Sequence, residues 1–570
     1  MRAFLLTAFA ATVSLAAPQS APAEPVPSGD YLAARQAGYQ SDFLSAARYF
    51  TRALAQDPSN PELLEAANAA YLALGQVDRA LPVARRLIET AGPNQVANMA
   101  LIAHYGATGR YEQLLGIVGD GNGVGLLVDG LVAGWSELGR GNMSEALAAF
   151  DEVGEERGLI GFALYHKALA LASVGDFEGA EAIYASDTAG AMQMTRRGII
   201  ARVEVLSQID RNDEALDLIR TAFGADLDPG LRRMRDALEA GETLPFTMVS
   251  GPRDGLAEVF FTISGALMNE ASEDFTLLYA RVAEHLRPDH IEALLMSADL
   301  LERLGQYELA TETYKRVPRD DPSYHAAELG RADALRQAGK SDAAIEVLGQ
   351  LAQTHGDLPA VHSSLGDLFR SLERFEEAVA AYDRAIALYD DPGEAQWFLY
   401  YARGIAYERQ DLWPAAEADF RQALKLQPDQ PQVLNYLGYS LVEKQENLEE
   451  ALEMIERAVA ARPDSGYIVD SLGWALYRLG RYEEAVGHME RAAELLPVDP
   501  IVNDHLGDVY WAVGRRMEAR FQWQRALSFD PEPDDAERIR RKLEVGLDTV
   551  LAEEGAPPLE LADGPRDEDG

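Results

Sequence analysis

Nine histidines and no cysteine define the chemistry this sequence has the residues to perform. Without cysteine there is no disulfide, thiol nucleophile, iron–sulfur cluster or Cys-ligated zinc. A zinc site built from histidine and carboxylate needs clustered ligands. Only His285 and His290 stand close together, around Arg287-Pro288-Asp289, and no third ligand accompanies them. There is no H-E-x-x-H metal pair, no G-x-S-x-G nucleophile elbow and no Gly-rich loop followed by Lys. The run Gly119-Asp120-Gly121-Asn122-Gly123-Val124-Gly125 has the glycine density of a nucleotide loop. It lacks the lysine and the βαβ setting, and a flexible connection between helices accounts for it. The expectation is a protein without catalytic residues, cofactor or metal.

The elements that position the remaining side chains are helices in a repeat. Leu437-Gly438, Leu472-Gly473 and Leu506-Gly507 recur mid-helix, each followed three residues later by Leu441, Leu476 or Tyr510. Ala451, Ala485 and Ala519 come next, then Ile455, Met489 and Trp523 four residues beyond. Pro428, Pro463, Pro497 and Pro531 close the units at intervals of 35, 34 and 34 residues. Gly and Ala suit the crossing of two antiparallel helices, where a larger side chain has no room. The apolar residue one turn after the Ala fills the space between units. Proline cannot continue a helix and fixes the turn. One such unit cannot bury its apolar stripe alone, so the units must stack.

This pattern resembles the tetratricopeptide repeat (TPR) family. The same spacing recurs upstream at Ala46/Phe50/Pro58, Ala146/Phe150, Ala180/Tyr184, Ala310/Tyr314/Pro322, Ala378/Tyr382 and Ala416/Phe420/Pro428. The family's early Trp is absent, and units starting near 61, 95, 190, 254 and 323 are degenerate. The resemblance implies an all-α superhelical solenoid of helix-turn-helix repeats. It also implies a concave groove lined by the first helix of each unit, opposite the Leu-Gly face. Carried onto this chain, those positions are Asn435, Asp470 and Asp504, then Tyr439, Trp474 and Asp508, then Val442, Tyr477 and Trp511. The preceding unit adds Tyr401. Polar groups there would bond a partner's backbone and aromatics would anchor its side chains. Trp474 follows the crossing Gly473 and is expected to point into the groove. Packing between units is the competing role, above all for Tyr477.

The chain divides by composition. Arg2, the apolar run Ala3–Ala17 and Ala21-Pro22-Ala23 read as an export signal cleaved after Ala23. A TPR block is expected over 24–222, an irregular linker rich in Pro and Gly over 223–255, and a second block over 256–531. Residues 532–552 read as a capping helix with Ile539, Leu543, Leu547 and Val550 on one face, and 553–570 as a disordered acidic tail. The basic run Arg538–Lys542 reads as the solvated side of that helix.

With 93 acidic and 51 basic residues, the formal charge is -42. That field disfavours nucleic acid and anionic lipid and favours cationic protein surfaces. An acidic surface equally serves to keep a long array soluble. No stretch is expected to span a membrane, and with no Cys after the signal no lipid anchor is expected.

The runs Leu434–Tyr439 and Asp470–Gly480 are similar to those of long exported bacterial TPR proteins, a resemblance covering about 256–531. One such type is an adaptor bringing cell-wall hydrolases to a C-terminal-processing protease, though it carries the lipidated Cys this chain lacks. The function expected is a periplasmic scaffold or adaptor binding one or more envelope proteins, a protease or cell-wall hydrolase among them. A periplasmic chaperone or assembly factor is the alternative.

Overall fold

Helix starts and stops follow from local chemistry. Asp42, Asn60, Asn94, Asp176, Thr195, Asp228 and Asp499 cap helix N-termini with side-chain oxygens. Proline opens the helices that begin at Pro61, Pro229, Pro252, Pro359, Pro431, Pro500 and Pro533. Gly480 (φ 73°) and Gly514 (φ 82°) end two others in the left-handed region.

The computed structural model describes residues 28–556 except 120–122, 187–189, 191, 193, 225 and 226, together with residue 559. The expected signal lies outside the described residues, as does nearly all of the expected tail beyond 556. There are 31 α-helices and no strand among the described residues.

Successive helices pair as antiparallel hairpins, and the first of each pair is called here its A helix, the second its B helix. The first six pairs begin with α1 (Ser28–Tyr39) and α2 (Phe43–Leu54), then α3 (Pro61–Ala73) and α4 (Val77–Ala91). Next come α5 (Gln95–Ala107) with α6 (Tyr111–Val118), and α7 (Leu126–Gly139) with α8 (Met143–Glu155). The series ends with α9 (Ile160–Ser173) and α10 (Phe177–Tyr184), then α11 (Arg196–Gln208) and α12 (Asn212–Phe223). A single helix α13 (Pro229–Glu239) packs on α12. Then follow α14 (Pro252–Leu267) with α15 (Glu273–Leu286), α16 (Ile291–Arg303) with α17 (Tyr307–Tyr314), α18 (Tyr324–Gln337) and α19 (Ser341–Thr354). The later pairs are α20 (Pro359–Ser371) with α21 (Phe375–Ala387), and α22 (Trp397–Glu408) with α23 (Trp413–Leu426). They continue as α24 (Pro431–Lys444) with α25 (Leu448–Ala461), α26 (Gly466–Arg478) with α27 (Tyr482–Leu495), and α28 (Pro500–Ala512) with α29 (Arg516–Leu527). The series closes with α30 (Pro533–Val545) and α31 (Leu547–Glu553).

The crossing glycines behave as the spacing predicts. A Cβ at Gly438 would lie 2.7 Å from Ile455, and one at Gly404 would lie 2.7 Å from Phe420. At Gly473 it would collide with Met489, and at Gly507 with Trp523. The same holds upstream for Gly134 against Phe150 and Gly366 against Tyr382. Ala451, Ala485 and Ala519 are fully buried, as are Ile455, Met489 and Trp523.

Domain organisation differs from the reading by composition. The chain forms two compact units, residues 1–344 and 345–570, and their division falls within α19. The Pro- and Gly-rich stretch 223–255 is therefore interior to the first unit. The reason is long-range: α14 packs on α7 and α9, and α15 on α3 and α5, so the chain after residue 251 returns to the repeats it has just built. The expected capping helix is two helices broken at Gly546 (φ 84°), with Ile539, Leu547 and Val550 buried.

Candidate functional site

Every residue proposed from sequence to line a groove lies on an A helix of the second unit. Tyr401 is on α22, Asn435 and Tyr439 are on α24, Asp470, Trp474 and Tyr477 are on α26, and Asp504 and Trp511 are on α28. The structure separates them into an engaged half and an accessible half.

The engaged half spans α26 and α28. Trp474 is only 8% exposed. Its indole Nε1 donates to Glu443 Oε1 on α24 at 2.6 Å. Its ring stacks on Tyr477 at 4.8 Å and on His505 of α28 at 4.0 Å. His505 Nδ1 lies 3.1 Å from Asp470 Oδ2, closing a ladder across three consecutive A helices. Burial opposes charge on His505, but the Asp470 carboxylate, its hydrogen bond, and Asp504 and Asp508 hold the imidazole pKa above its ordinary value. Trp511 Nε1 donates to Asp548 Oδ2 at 3.0 Å, and its ring lies 5.3 Å from Trp523.

Asp504 accepts from Lys542 Nζ at 2.8 Å, and Asp508 accepts from the same ammonium at 2.7 Å. Lys542 is fully buried, which corrects the reading of Arg538–Lys542 as a solvated face. Lys542 instead fastens α30 to the last A helix, while Arg538 and Arg541 pair with Glu554 and Glu553.

The expectation that Trp474 and Asp470 point into an open groove is corrected in the same way. Each reaches the next A helix, and both side chains serve the packing between repeats. Tyr477 and Trp511 are likewise buried.

The accessible half is on α22 and α24. Tyr401, Asn435 and Tyr439 stay partly exposed. The Asn435 Oδ1 acceptor is buried, without a hydrogen-bond partner among the described residues, so it is not offered to the surface. Tyr401 packs edge-on to Tyr436 at 5.8 Å and lies 5.9 Å from Trp397. Burial, with the Glu443 and Asp470 carboxylates, pushes the Tyr439 hydroxyl pKa up, so it remains a donor. Sequence reasoning took only Tyr401 from α22, yet Trp397, Phe398, Tyr400 and Tyr407 accompany it on that helix. The dense aromatic run was the available signal. Phe398 in the first turn of α22 is 41% exposed, and Tyr467 and Ile501, in the first turns of α26 and α28, are 61% and 52% exposed.

In the first unit the A helices α3, α5, α7, α9 and α11 are engaged by α14 and α15. Tyr165 Oη donates to Glu258 Oε1 at 2.8 Å and Arg197 Nε to Glu258 Oε2 at 2.8 Å, joining α9 and α11 to α14. Arg281 Nε donates to the Ala73 carbonyl at 3.0 Å, joining α15 to α3. His290 sits 3.4 Å from the Glu258 carboxylate, in this network. The glycine run is described only at Gly119 and from Gly123 on, where Val124 N donates to Asp129 Oδ1 at 2.7 Å. No group of three or more residues suited to hold a metal occurs among the described residues. Nor is any described helix long and apolar enough to cross a membrane.

Tetratricopeptide-repeat models match residues 31–96, 329–395, 401–466 and 442–500, and a further one matches 292–324. The TPR repeat-containing protein PA4667 of Pseudomonas aeruginosa is 36% identical over 83 residues, 15% of this chain and 14% of that protein. This chain therefore matches only about a seventh of that relative's length. Among solved structures, the APC/C hetero-tetramer Cut9-Hcn1 is 14% identical at a TM-score of 0.39, covering 90% of this chain and 96% of that one. YrrB, described as a TPR protein with an unusual peptide-binding site, is 21% identical at a TM-score of 0.28, covering 35% of this chain and 99% of that one. A tetratricopeptide repeat protein from Parabacteroides merdae is 17% identical at 0.36, covering 45% and 98%. Both compact units carry tetratricopeptide repeats, and the fold is a solenoid of such repeats.

Proposed function

We propose that this chain is a non-catalytic scaffold or adaptor of the cell envelope, binding a segment of a partner protein on the A helices α22 and α24. The observation that carries this reading is the contrast among A helices. The A helices α3, α5, α7 and α9 lie under α14 and α15, and Trp474 and Trp511 of α26 and α28 are taken up by Glu443 and His505 and by Asp548 and Trp523. On α22 and α24, Phe398 is exposed and Tyr401 and Tyr439 remain partly exposed. Partly exposed aromatics on a rigid helix supply contact area at low entropic cost, and they dominate interface energetics where they occur.

The envelope location rests on the sequence of the first 23 residues. N-terminal sequencing of the native protein tests it: a start at Glu24 in a periplasmic fraction is predicted, and a cytoplasmic protein starting at Met1 would refute it. The partner class follows from the resemblance of residues 256–531 to exported adaptors and is an envelope protease or cell-wall hydrolase. Affinity capture with the mature protein from envelope extract, read by mass spectrometry, tests that class. One stoichiometric partner supports the adaptor, and a broad set of weakly bound clients would replace it with a chaperone.

A further inference from the structure

If the first unit used its A helices to bind other proteins, their segments would have to lie where α14 and α15 now lie. We propose that this surface is a helix-binding groove whose resident ligand is the α14–α15 hairpin, supplied in cis and never exchanged for another protein. The inference stands independently of the function proposed for α22 and α24.

The hairpin runs the length of the A-helix surface. Ser41 Oγ, in the turn between α1 and α2, donates to Asp274 at the start of α15, at 2.7 Å. Further along α15, Gln95 of α5 reaches the Tyr279 hydroxyl at 3.4 Å. At its end, Leu286 meets Gly106, where a Cβ would come within 2.7 Å of it. α14 continues the track. Leu256 faces the same Gly106, Gly255 lies so close under Trp135 that a Cβ there would enter the indole, and Thr262 lies 3.3 Å from His166 of α9. Glycine on both sides of this interface removes the side chains that would hold the hairpin off. The contact is close-packed in the manner of a protein interior.

Two features fix the hairpin in place. The first is the Glu258 carboxylate, wholly buried, which accepts from the Tyr165 hydroxyl and, on both oxygens, from Arg197 Nε. Separating α14 from α11 would leave a buried charge without its partner, which is far costlier than never having buried the pair. The second is the lead-in, residues 241–251. Leu244 N donates to Ser207 Oγ at 2.9 Å, Thr247 N to Glu204 Oε2 at 2.7 Å, and Arg197 Nη2 to the Met248 carbonyl at 3.1 Å. A lid requires a connection free to change its backbone angles. This one is bonded to α11 along its length.

Hydrogen exchange by mass spectrometry on the full-length protein tests the proposal. α14 and α15 should exchange in the same slow class as α5 and α7. Glu258→Gln should accelerate exchange in α14, α7 and α9 together, by about tenfold or more, and leave α20–α29 unchanged. Exchange of α14 and α15 about a hundredfold faster than α5 and α7 in the native protein would overturn it, because the hairpin would then open by itself. A second measurement needs no destabilising change. The chain has no cysteine, so Ser41→Cys with Asp274→Cys creates one pair for a short bismaleimide. A crosslink within a single chain is predicted. A crosslink joining two chains would place the hairpin in a second copy and overturn the assignment in cis.

Discussion

The indole of Trp474 lies flat on the imidazole of His505, ring centroids 4.0 Å apart and planes 13° from parallel. The two residues belong to successive A helices, so this stack is a joint between repeats. It sits between two polar anchors, Glu443 on the Trp474 Nε1 and Asp470 on His505.

A joint of this kind predicts a stability effect where a groove anchor would have predicted none. Trp474→Ala should destabilise the second unit by about 3–5 kcal/mol, the usual range for deleting a buried indole. Denaturant unfolding measures the loss, and hydrogen exchange should place it at α24, α26 and α28. Unchanged stability would mean that the stack contributes nothing to the array.

The joint is also pH-dependent. His505 has a raised pKa in the folded state, so its contribution is complete below the ordinary histidine value of about 6.5 and is lost as pH rises through the elevated pKa. The groups facing it are Asp470 on α26 and Asp504 and Asp508 on its own helix. Stability of the second unit, followed from about pH 5 to 9, should therefore fall on the alkaline side. Asp470→Asn should flatten that dependence. A native protein whose stability rises over the same interval would contradict the pairing.

The helix crossings give a third prediction. Gly473→Leu would drive a side chain into Met489. The overpacking should cost about 1–3 kcal/mol or more. In a stacked array the loss of exchange protection should centre on α26 and α27 and their neighbours. Uniform loss reaching back into the first unit would contradict a repeat-by-repeat fold.

The parts of this fold legible in the sequence are those fixed within one repeat. Gly438, Gly473 and Gly507 meet Ile455, Met489 and Trp523 within each unit, at separations of 17, 16 and 16 residues, so spacing alone exposes the crossing. The parts that were not legible depend on side chains one repeat or more away. Trp474 reads as groove-facing because the residues that claim it, Glu443 and His505, each lie 31 positions distant. Lys542 reads as solvated because the two carboxylates that bury it are on α28. The return of α14 and α15 left no mark in periodicity, since residues 223–255 carry the Pro and Gly of an ordinary boundary. Long-range contacts such as those of Glu258 and Arg281, across 61 and 208 positions, disclose it.

The function proposed for this chain depends on the partly exposed aromatics of α22 and α24, and one measurement addresses them directly. A protein captured from envelope extract by the native chain is purified, and its affinity is measured for the native chain and for Tyr401→Ala with Tyr439→Ala. Circular dichroism first establishes that the variant keeps its helix content. Each lost anchor should cost about 2 kcal/mol, or about thirtyfold, so affinity for the double variant should fall by about a thousandfold where the two add. Equal affinity for the folded variant and the native chain would contradict the account and move partner binding off these two helices.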